Sequence, residues 1–206
     1  MPSARRIDLL KSPPWRRIGL MIVAAAATVS ATAAGEDFPR ATLDEARKAA
    51  NELVLGVRGE LVKAIEASGP LRAIVVCKYT VPEIASAVSR KYGARVTRVS
   101  LTPRNPSLGW GDAWEQKVLM DFDERVAKGE KADSLEYAEI TTEPSGKFLR
   151  YMKALAMLPV CMNCHGTADQ ISESVRSQLA HDYPHDRAIG LTVGKVRGAV
   201  TYKKPL

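Results

Sequence analysis

"SLEYAEITTEPSGKFLRYMKALAM", residues 134–157, decides the fold class. Two stretches rich in β-branched and aromatic residues, SLEYAEITTE and KFLRYMKALAM, flank the turn signal Pro144-Ser145-Gly146, and this arrangement predicts a β-hairpin. Further strands are expected at "ARVTRVSLTP" upstream and at "VRGAVTYKK" near the end of the chain. Helices precede them. In "ATLDEARKAANELVLGVRGELVKAIEASGP", Leu43, Ala46, Ala50, Leu53, Val57, Leu61 and Ile65 fall on one helical stripe. Thr42 with Glu45 reads as a capping box, and Gly69-Pro70 as the stop. "TVPEIASAVSRKYG" predicts a second helix, with Thr80 as cap and Gly93 as stop. "GDAWEQKVLMDFDERVAKGE" predicts a third, opened by Asp112 and Glu115 and buried through Trp114, Val118, Leu119, Phe122 and Val126. A short helix is expected near "ISESVRSQLAHDYP". Helices first and an antiparallel sheet later give an α+β domain.

The 206 residues suit one folded domain, with 46% hydrophobic and 26% charged side chains. The first 33 stand apart. "MPSARRIDLLKSPPWRR" is basic, "IGLMIVAAAATVSA" is a short apolar run, and Ala31-Thr32-Ala33 resembles a cleavage site. Together they read as a signal peptide over 1–33, cleaved near Ala33, with the mature domain over 34–206. The expected compartment is a bacterial periplasm, with membrane attachment only if that segment is retained. Arg5-Arg6 has the look of a twin-arginine signal. Setting residues 1–33 aside lowers the formal charge from +7 to +3, too mild to argue for nucleic acid.

"PVCMNCHGTADQ", residues 159–170, carries the chemistry. Cys161, Cys164 and His165 form Cys-x-x-Cys-His, the attachment signature of a c-type haem. Two thiols at this spacing can add to the two vinyl groups of one porphyrin edge, and the adjacent histidine can reach the iron. A second reading is zinc held by Cys161, Cys164, His181 and His185, one residue outside the usual finger spacing. Pro184 counts against it, because it breaks the helix that would align the two histidines, and the arrangement gives His165 no role. A thioredoxin-like dithiol would need a βαβ context that does not precede the motif. Covalent haem is the expectation.

The iron's other side is open to several candidates. Met120, Met152, Met157 and Met162 are available, although methionine in an apolar run is more often core. Cys77, the remaining cysteine, is either an inert buried thiol or an iron ligand. Arg104 and Arg150 are either propionate contacts or structural arginines. Tyr79 and Tyr151 lie next to motif residues and could equally be core.

"AIVVCKYTVPEIA", "RNPSLGWGDAWEQKVL", "FLRYMKALAMLPVCMNCHG" and "YPHDRAIGLTVGKVRGA" occur in that order over residues 41–204. Together they resemble a family of periplasmic haem c domains with a PAS-like α+β fold, some stand-alone cytochromes and others the sensor portions of receptors. The resemblance implies one covalent haem, with His165 as proximal and Cys77 as distal iron ligand. "SLGWG", Leu191 and Lys195 depart from the family pattern.

The expected function is a monohaem cytochrome in low-potential electron transfer, with a periplasmic donor and acceptor. The alternative is a redox or gas (CO/NO) sensor acting through a separate signalling partner, since the chain stops at "TYKKPL" just past its last strand. No general acid–base constellation stands out among three histidines, so an enzyme is not expected.

Overall fold

The apolar stripe of the first long helix is the wall against which one face of the sheet is built. The computed structural model describes residues 40–206. The signal segment, its cleavage point and the Arg5-Arg6 pair lie outside the described residues. Helix α1 spans Arg40–Ser68 and buries Ala46, Ala49, Ala50, Leu53, Val57 and Ala64, much as the stripe predicts. The proposed capping box is corrected: the helix is already under way at Arg40, so Thr42 lies inside it. Glu45 instead accepts from the Tyr202 hydroxyl and Lys204 Nζ, both at 2.6 Å, tying helix to sheet.

A second correction concerns the next helix. Thr80 does not cap it, because the chain is helical from Pro70 to Tyr92 without a stop. α2 (Pro70–Val75) passes into a π-helical segment, Val76–Thr80, and then into α3 (Val81–Tyr92). The physical reason is Pro82, which lacks an N–H and would clash with the carbonyl four residues back. The chain widens by a π turn there rather than breaking. Gly93, at φ 57 and ψ 36, ends α3 in the left-handed conformation that glycine tolerates best.

Four antiparallel strands follow: β1 (Arg95–Val99), β2 (Glu136–Glu143), β3 (Gly146–Ala156) and β4 (Val196–Pro205), in the order β1-β4-β3-β2. The hairpin forms as expected, with Glu143 opposite Gly146. Side chains alternate between the two faces. Val96, Leu149, Tyr151, Val200 and Tyr202 pack with α1 and α3. Val99, Met152, Ala154 and Ala199 pack with α5 (Ala113–Ala127) through Val118, Leu119 and Phe122. Where β1 meets β4, Gly198 has φ 151, and a Cβ there would collide with the Val99 carbonyl. Two short helices, α4 (Pro106–Gly109) and α6 (Met162–His165), and the longer α7 (Glu173–Asp182) complete the chain. α4 was not expected from sequence; Asn105 opens it by accepting from Ser107 N–H. No helix among the described residues is long and apolar enough to cross a membrane.

The α5 capping box closes in both directions: Asp112 accepts from Glu115 N–H at 2.9 Å, and Glu115 from Asp112 N–H at 2.8 Å. Glu115 is fully buried and also accepts from Arg95 at 2.8 Å and Thr201 at 2.7 Å, with Arg150 at 3.4 Å. Removing its charge leaves buried Arg150 with Asp112 as its close counter-ion. Glu115→Gln is therefore expected to destabilise the fold by about 2 kcal/mol. Denaturant unfolding at neutral pH checks this, and an unchanged midpoint contradicts it.

Candidate functional site

The Cys-x-x-Cys-His turn begins after β3, where Pro159–Cys161 forms one 3-10 turn and Met162–His165 the single turn of α6. Leu191 N–H donates to His165 O and Gly190 N–H to Gly166 O, which hold the 188–191 loop against it. Cys164 packs on a small apolar cluster of Ile74, Ile171, Val175, Leu179 and Tyr183. That cluster joins α2 to α7, and Lys78 Nζ reaches Asp182 at 2.6 Å beside it. The same packing brings in Cys77 from the π-helical segment, within Coulombic reach of Cys164, Arg98, Arg197 and Tyr183. All three cysteines are half-buried free thiols. Burial pushes the Cys164 thiol up, partly offset by Arg104.

His165 is held by its Nδ1, which lies 2.7 Å from the Ala188 carbonyl. Arg104 Nη2 also faces Nδ1, at 3.2 Å, but the carbonyl is nearer and only accepts, which assigns the proton to Nδ1 and leaves Nε2 its lone pair. Nε2 faces Arg197 Nε at 3.5 Å. Burial, then Arg197 and Arg104, hold the imidazole well below its ordinary 6.5, and the bond to Ala188 only partly opposes them. Below about pH 6.5 the unfolded chain takes up a proton at this histidine and the folded chain does not, so stability falls as pH drops. Between about pH 7 and pH 5 the unliganded protein should lose up to about 2 kcal/mol through His165. His165→Gln should flatten that part of the profile; an equally steep profile in the variant contradicts the assignment.

Arg104, buried at 9% exposure, fastens the turn rather than facing open space. It donates to the Cys164 and Ala188 carbonyls and to Asp186 Oδ2 at 2.9 Å. Arg150 sits among carboxylates of its own. It pairs with Asp112 at 2.6 Å and stacks on the Trp114 ring at 4.3 Å. Its partner in register is Lys203. Six residues of β4 separate Lys203 from Arg197, about 20 Å at strand rise, so Arg150 and Arg197 lie toward opposite ends of that strand. The sequence reading missed Arg98 and Arg197. Burial, then its neighbours Arg98 and Arg104, push Arg197 down to about 10. Burial also lowers Arg98.

The zinc arrangement is not assembled. His181 is 82% exposed, and among the described residues no three His, Cys, Asp or Glu side chains come together as a metal nest. Met152 is core and Met120 half exposed on α5. Met157 is buried and pinned by backbone bonds with Gly194 and Lys195. Tyr79 is exposed rather than core, whereas Tyr151 is core and donates to Glu136 at 2.8 Å.

The model of the Tll0287-like family matches residues 26–205. The chain belongs to this family. The family expectation read from the four sequence blocks is met, and so is the fold. The crystal structure of the cyanobacterial heme-protein Tll0287 superposes with a TM-score of 0.62 at 21% identity, covering 82% of this chain and 96% of that one. At that identity the likeness establishes the shared fold. No curated protein matches.

Proposed function

We propose that this member of the Tll0287-like family is an exported monohaem c-type cytochrome, bound through Cys161 and Cys164 and ligated by His165 Nε2 and the Cys77 thiolate. One observation carries the reading. The Nδ1 proton of His165 is committed to the Ala188 carbonyl, which leaves a lone pair on Nε2 in the same turn as the two spaced thiols, with Cys77 electrostatically coupled to Cys164.

The residues fit the group. An imidazole nitrogen and thiolates suit iron. A ligand bound at Nε2 takes the position of the Arg197 guanidinium, whose other side-chain hydrogen bonds are to the Ser100 hydroxyl and the Thr102 carbonyl. The relative Tll0287, described as a heme-protein, supports the same reading.

Haem bound there supplies a one-electron ferric–ferrous couple. Cys77 as a thiolate places negative charge at the metal and favours the oxidised state, so the potential is low for a c-type centre. With two protein ligands the site suits electron transfer between a periplasmic donor and acceptor rather than catalysis. Nucleic acid has no part in this reading, and a membrane only if residues 1–33 stay attached.

A second reading, a redox or gas sensor working through a partner, draws on one observation: Cys77 lies in the π-helical segment Val76–Thr80. Such segments recur at functional sites and can change their hydrogen-bond register. A spectroelectrochemical titration separates the two. A reversible one-electron curve with unchanged ligation and no CO uptake supports the carrier. Loss of the thiolate signature on reduction, with CO uptake, supports the sensor.

A further inference from the structure

Arg98 and Arg197 are two half-buried cations on neighbouring strands, and neither has a carboxylate partner among the ion pairs of the described residues. Among the described residues, Arg197 Nη1 contacts only the Ser100 hydroxyl at 3.2 Å and the Thr102 carbonyl at 3.5 Å, and no hydrogen bond engages the Arg98 guanidinium. This is unusual for the chain, where the other buried arginines, Arg104 and Arg150, each hold a carboxylate. The two lie within Coulombic reach of each other, of Cys77 and of His165. Like charges gathered in a poorly solvated place cost free energy unless an anion sits between them. Each guanidinium presents a forked donor suited to a carboxylate.

We propose that Arg98 and Arg197 are the clamp for the two propionate carboxylates of the porphyrin, one arginine to each, in place of Arg104 and Arg150. The inference rests on the haem reading above and assigns a binding role to two residues outside the attachment motif. Arg197 then has two positions. Without the cofactor it lies against His165 Nε2, and with it the guanidinium turns to a propionate. That exchange shields the imidazole until the iron arrives. Arg104 stays with Asp186 and the Cys164 carbonyl in both states.

The test is resonance Raman spectroscopy of the intact holoprotein, reading the propionate bending bands, whose frequencies follow the hydrogen bonding of the carboxylates. Arg98→Gln and Arg197→Gln should each shift one band and the double variant both. Arg98→Lys and Arg197→Lys, which keep the charge but lose the fork, should move them part of the way. A merely structural role would leave the bands in place. Bands unmoved in the double variant at wild-type haem content overturn the clamp. If the glutamine variants fail to mature, unmoved bands in the lysine variants overturn it equally. Wild-type protein lacking covalent haem overturns the function proposed above and the clamp with it, whereas normal wild-type haem with unmoved bands overturns the clamp alone.

Discussion

Cys161→Ala combined with Cys164→Ala should abolish covalent haem entirely: after maturation in cells that attach haem c, acidic acetone should strip all pigment from the variant and none from the wild type. The argument is chemical, because each thioether needs its own sulfur at one vinyl position of the same porphyrin edge. Single replacements should retain one bond, with a red-shifted band of the remaining unsaturated substituent. The result is separable from misfolding. Both thiols are half-buried, and Cys164 only borders the cluster of Ile74, Ile171, Val175, Leu179 and Tyr183. Truncating it should cost about 1 kcal/mol, so the colourless variant should keep its circular dichroism and a cooperative unfolding transition. Covalent pigment in the double variant contradicts the assignment.

Cys77→Ala should leave that attachment intact and change the metal's other side. The ferric spectrum should lose its thiolate features, exogenous imidazole should bind without prior reduction, and the midpoint potential should rise. Removing an anionic ligand favours the reduced state, and axial ligation spans about 0.8 V across haem proteins, so a rise on the order of 100 mV or more is expected. The position of Cys77 makes this specific. It is the one cysteine outside the motif, carried on the π turn and electrostatically coupled to Cys164 and to Arg98 and Arg197, which have no carboxylate partner among the described residues. A variant with an unchanged spectrum and potential would make Cys77 an inert thiol.

Much of this was legible in the sequence, and the unread parts have physical causes. The α1 stripe, the Asp112–Glu115 box and the Pro144-Ser145 turn are local signals, set by periodicity and by residues a few positions apart. The attachment motif is equally local. Strand order is not: β4, last in the chain, inserts between β1 and β3, and nothing within a short window encodes that neighbour. Thr80 followed by Pro82 imitates a helix start, and the same proline is equally compatible with a π turn that keeps the helix going, a choice the short window does not make. The arginines divide the same way. Arg150 lies beside Tyr151 and near the motif in sequence, yet strand geometry carries it to Asp112 and Glu115. Arg98 and Arg197 occur in ordinary strand segments, and their shared surroundings exist only once β1 and β4 pair.

The central claim, that this chain carries a covalent haem held by His165 and Cys77, is tested most directly by one absorption experiment on protein matured with a haem-attachment system. Spectra are recorded oxidised, then reduced with dithionite, with and without CO, after an acidic acetone wash. Pigment that survives the wash, with a thiolate-type oxidised spectrum, is the predicted result. A chain that emerges colourless contradicts the haem, and surviving pigment with a methionine-type spectrum contradicts Cys77 as its ligand.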